Sequence, residues 1–170
     1  DAALTTEVTN TNNVPSGTYY PVYFDGNTLL CSSDPVVVTR MIDIEGSVFD
    51  DANGNTIIDG TELGTNASTS LYVYLVDDNN IIVDSALVAA DGTYTLHVKP
   101  KQGTPKNYTL HLSQVQYAVG VDVSSSPIDY TLPTNWVTTG ENGNNNTGSG
   151  DGSPDGILTV SIGTSNVTNA

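Results

Sequence analysis

Short stretches of alternating apolar and polar residues recur along the chain, and none sustains the 3.6-residue period of a helix. Ile42, Ile44 and Val48 fall on one face of the run 42–49. Tyr94, Leu96 and Val98 alternate with Thr93, Thr95 and His97, and Tyr108, Leu110 and Leu112 repeat that alternation. The run 71–76 is apolar on both faces and predicts a central strand, which a turn at 77–80 sends back as 81–88. Residues 115–123 and 157–162 predict two more strands. Turn signals such as Asp91-Gly92 separate these runs at intervals of roughly 8–12 residues, the rhythm of an antiparallel β-sandwich.

Ahead of them, residues 1–40 open with a polar lead-in and then offer two β-like runs, 17–24 and 35–41, joined by a turn over 25–34. Pro21 lacks a ladder donor and demotes the first run to an edge or a bulge. So few strands bury little by themselves, and this segment is expected to pack on the adjoining domain or to complete a neighbour's sheet. The stretch 100–106 reads as a loop. The long polar loop 138–156, dense in Gly and Asn, has the composition of a disordered segment.

One stretch interrupts the strand rhythm with chemistry. Asp51, Asn53, Asn55, Asp59 and Glu62 stand at positions 1, 3, 5, 9 and 12 of a loop, and the carbonyl of Ile57 falls at position 7. Calcium takes about six to eight oxygen ligands, and a loop supplies them when alternate residues turn inward around the ion. The usual glycine of position 6 is replaced by Thr56, which must accept a left-handed backbone or remodel the loop. A plain solvated turn would use similar residues, but the full series ending in Glu62 favours Ca2+. Because a strand pattern precedes the loop, a helix–loop–helix hand is not expected.

Charge points the same way. Nineteen acidic residues face four basic ones for a net charge of −15 at 170 residues, which disfavours nucleic acid and anionic membranes. No apolar run nears the roughly 20 residues of a membrane span, so no membrane insertion is expected. Cys31 is the lone cysteine and shows no metal-thiolate spacing. A Thr-, Ser-, Asn- and Gly-rich, Lys-poor chain that opens on Asp1 reads as an extracellular piece of something longer.

Gly46-Ser-Val-Phe-Asp-Asp-Ala-Asn-Gly-Asn, then Asp59-Gly-Thr-Glu-Leu-Gly, then 71–77 and Ala90-Asp-Gly-Thr-Tyr-Thr-Leu succeed one another in a way that resembles the calcium-binding B-type repeats of bacterial serine-aspartate-repeat adhesins, modules similar to ones in large Bacteroidetes surface proteins. The likeness covers residues 41–100 closely and the rest in outline. It implies an immunoglobulin-like or prealbumin-like β-sandwich over 41–170, a calcium set of Asp51, Asn53, Asn55, Ile57, Asp59 and Glu62, and a place at the bacterial cell surface. Residues 1–40 resemble the closing strands of a preceding immunoglobulin-like repeat. Thr56 and the loop near 140–156 depart from the pattern.

Two further acidic groups are candidate accessory cation positions, Asp77 with Asp78, and Asp151 with Asp155 and with Glu141, Asn142 and Asn144 upstream, although no ligand spacing fits the second and a plain loop is the alternative. His97 and His111 lie on threonine-bearing strand faces and read as solvated. Trp136 and the tyrosines could stack on sugars, although Tyr94 and Tyr108 fit a core better. No Ser/His/Asp order, paired-carboxylate cleft or phosphate loop stands out, so no catalysis is expected. The expected function is a non-catalytic, calcium-stiffened stalk or filament repeat of a surface adhesin, whose partners are neighbouring repeats or copies and possible glycans or host surface proteins. The alternatives are a carbohydrate-binding module with structural calcium, or a filament subunit that self-assembles by strand complementation.

Overall fold

A computed structural model describes residues 17–20, 22–25, 28–32, 34–99, 104–143, 151–168 and 170, with backbone alone for 22–25 and 28–32. The polar lead-in, Pro21, most of the 100–106 loop and the Asn/Gly stretch 144–150 lie outside the described residues. Every regular element among the described residues is a strand, and there is no helix. The chain divides into two compact units, Asp1–Met41 and Ile42–Ala170.

In the first unit, β1 (Gly17–Tyr19) pairs antiparallel with β4 (Val36–Val38), and β2 (Val22–Asp25) pairs antiparallel with β3 (Thr28–Ser32). Two expectations change here. The run 17–24 carries two strands with different partners, and the stretch 25–34 is not only a turn, because Thr28 already pairs with Asp25. Leu29, Leu30 and Cys31 belong to β3.

The second unit holds two sheets. In the first, β5 (Ile42–Ser47) lies between β8 (Thr93–Val98), antiparallel to it, and the short β11 (Val167–Thr168), parallel to it. The second sheet runs β10 (Ile157–Ile162), β9 (Lys106–Ser113), β6 (Tyr72–Val76), β7 (Ile82–Leu87), antiparallel throughout. Alternation places Ile42, Ile44, Leu96 and Val98 of the first sheet against Val73, Leu75, Leu110 and Val160 of the second in one buried cluster. Each such side chain contributes about 1.5–3 kcal/mol by leaving water. The arrangement is β-sandwich-like.

Strand β6 is apolar on both faces because both are covered. Val73 and Leu75 enter the core between the sheets, while Tyr74 and Val76 pack outward with Ile82 and Ile128. The stretch 115–131 makes that outer cover, and this is why 115–123, expected as a strand, is not one. Tyr117, Val121 and Val123 pack against the outer cluster, Tyr117 edge-on to Tyr74, and the ladder of this stretch is reduced to one bridge, Ile81 with Asp122, and bonds from Ile82 to Val121 and from Gly120 to Ile82.

At the far side of β5, a Cβ on Gly46 would overlap the Ala170 carbonyl and the Tyr94 hydroxyl. The hydroxyl of buried Tyr94 donates to that carbonyl. Glycine at position 46 therefore permits the last described residue to close over β5.

Candidate functional site

The 51–62 loop leaves the sandwich after β5 and returns before β6 through a pinched stem. Phe49 and Gly64 form a bridge. The Asp50 N–H donates to the Leu63 carbonyl at 3.0 Å, that of Thr65 to Val48 at 2.8 Å, and that of Val48 to Gly92 at 2.9 Å. Gly92 has φ 83°, and a Cβ there would overlap the Val48 carbonyl, so the Asp91-Gly92 turn props the foot of the loop.

Within the loop the candidate ligands hold one another. Asp51 accepts at Oδ1 from the N–H groups of Gly54 (2.8 Å) and Asn55 (3.1 Å), and at Oδ2 from Thr56 (2.9 Å). Partial burial pushes this carboxyl up, but the Thr139 hydroxyl and the three amides outweigh it and hold the group below the ordinary carboxylate value. The carboxamide nitrogens of Asn53 and Asn55 donate to the two oxygens of Asp59, at 3.1 and 2.8 Å. Glu62 accepts the Asn53 N–H at Oε1 (3.3 Å) and the Asp59 N–H at Oε2 (3.2 Å). Ile57, whose carbonyl is the seventh-position donor, gives its N–H to Asn55 Oδ1 at 2.8 Å. Thr56 takes the left-handed backbone that glycine would adopt without strain, at φ 64°.

No group of three or more His, Cys, Asp or Glu placed to hold a metal ion occurs among the described residues. The loop offers a mixed set instead: three carboxylates, two carboxamides and a carbonyl. A carboxamide exchanges its oxygen and nitrogen by a half-turn. The side-chain oxygens of Asn53 and Asn55 already accept the N–H groups of Asn55 and Ile57, at 3.0 and 2.8 Å, so offering them to a cation would exchange these two bonds and the two to Asp59 for bonds to the ion. The donor chemistry fits a hard, oxygen-seeking cation.

A strap from the long polar loop closes over this site. Asn142 Nδ2 donates to the Thr56 carbonyl at 2.9 Å, and Gly140, at φ 142°, passes so near that a Cβ would meet Thr56 Cγ2 at 2.7 Å. Sequence reasoning missed Thr139 and Gly140, because isolated residues in a Gly/Asn-rich loop carry no period or ligand spacing; Asn142, expected with Glu141 beside Asp151 and Asp155, turns instead to Thr56.

The other candidates separate. Asp77 accepts the N–H groups of Asn79 (2.9 Å) and Ile81 (3.0 Å) as a turn cap, and the Lys106 ammonium sits on Asp78 and 4.0 Å from Asp77. That ammonium already supplies their positive charge. Asp151 caps Ser153 (3.0 Å) and Asp155 caps Ile157 (2.9 Å), each within its own turn.

His97 and His111 belong to different sheets. His97 is exposed and meets Asp43 at 2.9 Å. His111, expected in solvent, is instead buried, between Thr109 and the Tyr130 hydroxyl, each at 2.7 Å. Burial lowers its pKa to about 4. Tyr130 comes from the segment covering that face, which β9's own alternation does not show.

Trp136 is half-buried and lines a cavity at the open end of the sandwich. Tyr94 and Tyr108 are core residues.

The fold and site thus define an all-β, β-sandwich-like chain with a preformed acidic loop. No family model, curated protein or solved structure matches it.

Proposed function

We propose that the chain is a non-catalytic, calcium-stiffened structural segment of an extracellular adhesin or filament at a bacterial surface, with an immunoglobulin-like or prealbumin-like sandwich as its rigid body. The observation that carries the reading is the meeting of the Asn53 and Asn55 carboxamides on both oxygens of Asp59, inside a loop whose ends Glu62 and Asp51 already tie. Asp51, Asn53, Asn55, Asp59, Glu62 and the Ile57 carbonyl would hold Ca2+. When bound, the ion supplies positive charge that removes the repulsion among three carboxylates. The residues themselves fix the path of the chain from β5 to β6, through the Phe49–Gly64 stem.

A folded form that binds and an unfolded form that does not gain stability by mass action, about 2.7 kcal/mol at a hundredfold excess over Kd. The test is thermal unfolding in calcium and in excess chelator, for the native chain and for Glu62→Ala. The native chain is expected to melt higher in calcium, and Glu62→Ala to lose most of that difference. Equal melting of the native chain in both conditions would refute the reading.

A further inference from the structure

Asparagine is followed by glycine twice in the chain, at Asn53-Gly54 and at Asn142-Gly143. Such a pair modifies itself slowly in water, because glycine has no side chain to shield its nitrogen or to restrict the backbone that brings the nitrogen onto the carboxamide. The glycine nitrogen attacks Cγ of the asparagine. The N–Cγ bond forms, the Cγ–Nδ2 bond breaks, and Nδ2 leaves as ammonia with the proton that the backbone nitrogen gives up. Water then adds across either C–N bond of the cyclic imide and leaves an aspartate or an isoaspartate, with no change of oxidation state. An amide donor has become a carboxylate acceptor.

The structure treats the two pairs differently. In the 51–62 loop, ring closure at Asn53 must give up three bonds: Gly54 N–H to Asp51 Oδ1 at 2.8 Å, Asn53 Nδ2 to Asp59 Oδ1 at 3.1 Å, and Asn55 N–H to Asn53 Oδ1 at 3.0 Å. The attacking nitrogen and both ends of the carboxamide are held. In the strap, Gly143 is exposed, and no described residue accepts its N–H. Exposure of the asparagines alone ranks the pairs the other way, since Asn53 is exposed and Asn142 is half-buried.

We propose that Asn142 is a self-deamidating residue whose conversion releases the strap from the 51–62 loop. The bond at stake is the one that Asn142 Nδ2 donates to the Thr56 carbonyl at 2.9 Å. After conversion an oxygen stands where that nitrogen was, and two acceptors face each other with no proton between them. Since the reaction is irreversible, the tie between strap and loop is lost with the age of the chain. This goes beyond the stalk reading and does not depend on calcium.

The test follows both asparagines in one molecule. The full chain is held folded at mildly alkaline pH in chelator, and in parallel in urea, and peptide mass spectrometry reads the amide-to-acid conversion at each position over time. In the folded chain Asn142 is expected to convert at least about tenfold faster than Asn53, whose three bonds oppose closure. In urea the two are expected to convert at comparable rates. The converted folded chain, separated by its added negative charge, is expected to melt below the unconverted chain and together with Asn142→Asp.

Gly143→Ala supplies the control. Its Cβ would meet only the Leu158 side chain within van der Waals reach, at 3.3 Å, and it is expected to slow conversion at Asn142 at least about tenfold by restricting the backbone and to keep its melting temperature through the same incubation. Should that variant fail to fold, Asn142→Gln, which keeps an amide donor and closes only a larger ring, takes its place. Conversion of Asn53 as fast as that of Asn142 in the folded chain, no conversion of Asn142 there, or a converted chain that melts with the unconverted one would each overturn the proposal.

Discussion

The side-chain amide of Asn142 donates to the backbone carbonyl of Thr56 at 2.9 Å, joining positions 86 residues apart. Through this bond the candidate cation loop and the strap become one assembly, with the Thr139 hydroxyl on Asp51 as a second tie. Asn142→Ala is expected to destabilise the chain by about 1 kcal/mol. It should also weaken calcium binding several-fold, because the loop then closes without its brace. Calorimetric titration of calcium into native and variant chains measures this, and an unchanged affinity would limit the strap to a structural role.

Thr56 is a β-branched residue in the left-handed region, at φ 64°. Such a backbone costs about 1–3 kcal/mol, and glycine would remove most of it while adding unfolded-state entropy of about 0.5–1 kcal/mol. Thr56→Gly is therefore expected to raise the melting temperature modestly in chelator. A fall would mean that the Thr56 methyl against Gly140 contributes more than the strain.

Asp51 and Glu62 should separate in their dependence on calcium. Asp51 accepts three backbone N–H groups, so Asp51→Ala is expected to lower stability by about 1–3 kcal/mol even in chelator. Glu62 makes two longer contacts, at 3.2 and 3.3 Å, so Glu62→Ala should be nearly silent in chelator and costly in calcium. Melting curves of both variants in both conditions test the contrast.

Glu141 and His111 line the same cavity and are shifted in opposite senses. Burial, helped by Asp151 and Asp155, raises Glu141 from 4.5 to about 7 against the amides of Gly156 and Asp155. Burial lowers His111 from 6.5 to about 4, with Asp155 opposing. For Glu141 the folded state holds more protons between 4.5 and about 7, so its contribution is most favourable below that window and is lost as pH rises through it. For His111 the unfolded state holds more protons between about 4 and 6.5, so its contribution is lost as pH falls. Where the windows overlap the two slopes cancel. In chelator, Glu141→Gln is expected to leave stability falling on acidification from pH 6.5, and His111→Gln to leave it falling as pH rises towards 7. Parallel pH profiles for the two variants would refute the opposition.

What the amino-acid pattern reveals is the part of the fold decided by local alternation. Tyr94, Leu96 and Val98 read inward and are buried, and the two-faced apolarity of 71–76 reads as a central strand and is one. Burial supplied by a distant segment is not legible. Nothing in β9 shows that Tyr130 will meet His111, and nothing in 115–123 shows that its side chains pack on the outer face of β6. The two-residue β11 is too short to carry a period. The loop 51–62 is visible because ligand positions succeed one another in sequence. Glu141 is visible only as an acidic neighbour of Asp151 and Asp155, because its unpartnered oxygen arises only when the strap folds.

Because β11 runs parallel to β5, the second unit enters and leaves along neighbouring strands pointing the same way. A tensile load entering at Ile42 and leaving past Thr168 would draw the two strands in opposite directions along their length. The ladder bonds between them, with the Ala170 N–H on the Glu45 carbonyl at 3.0 Å, would then be sheared together instead of being unzipped in turn. Under the proposed stalk reading the unit would behave as a lap joint along that axis.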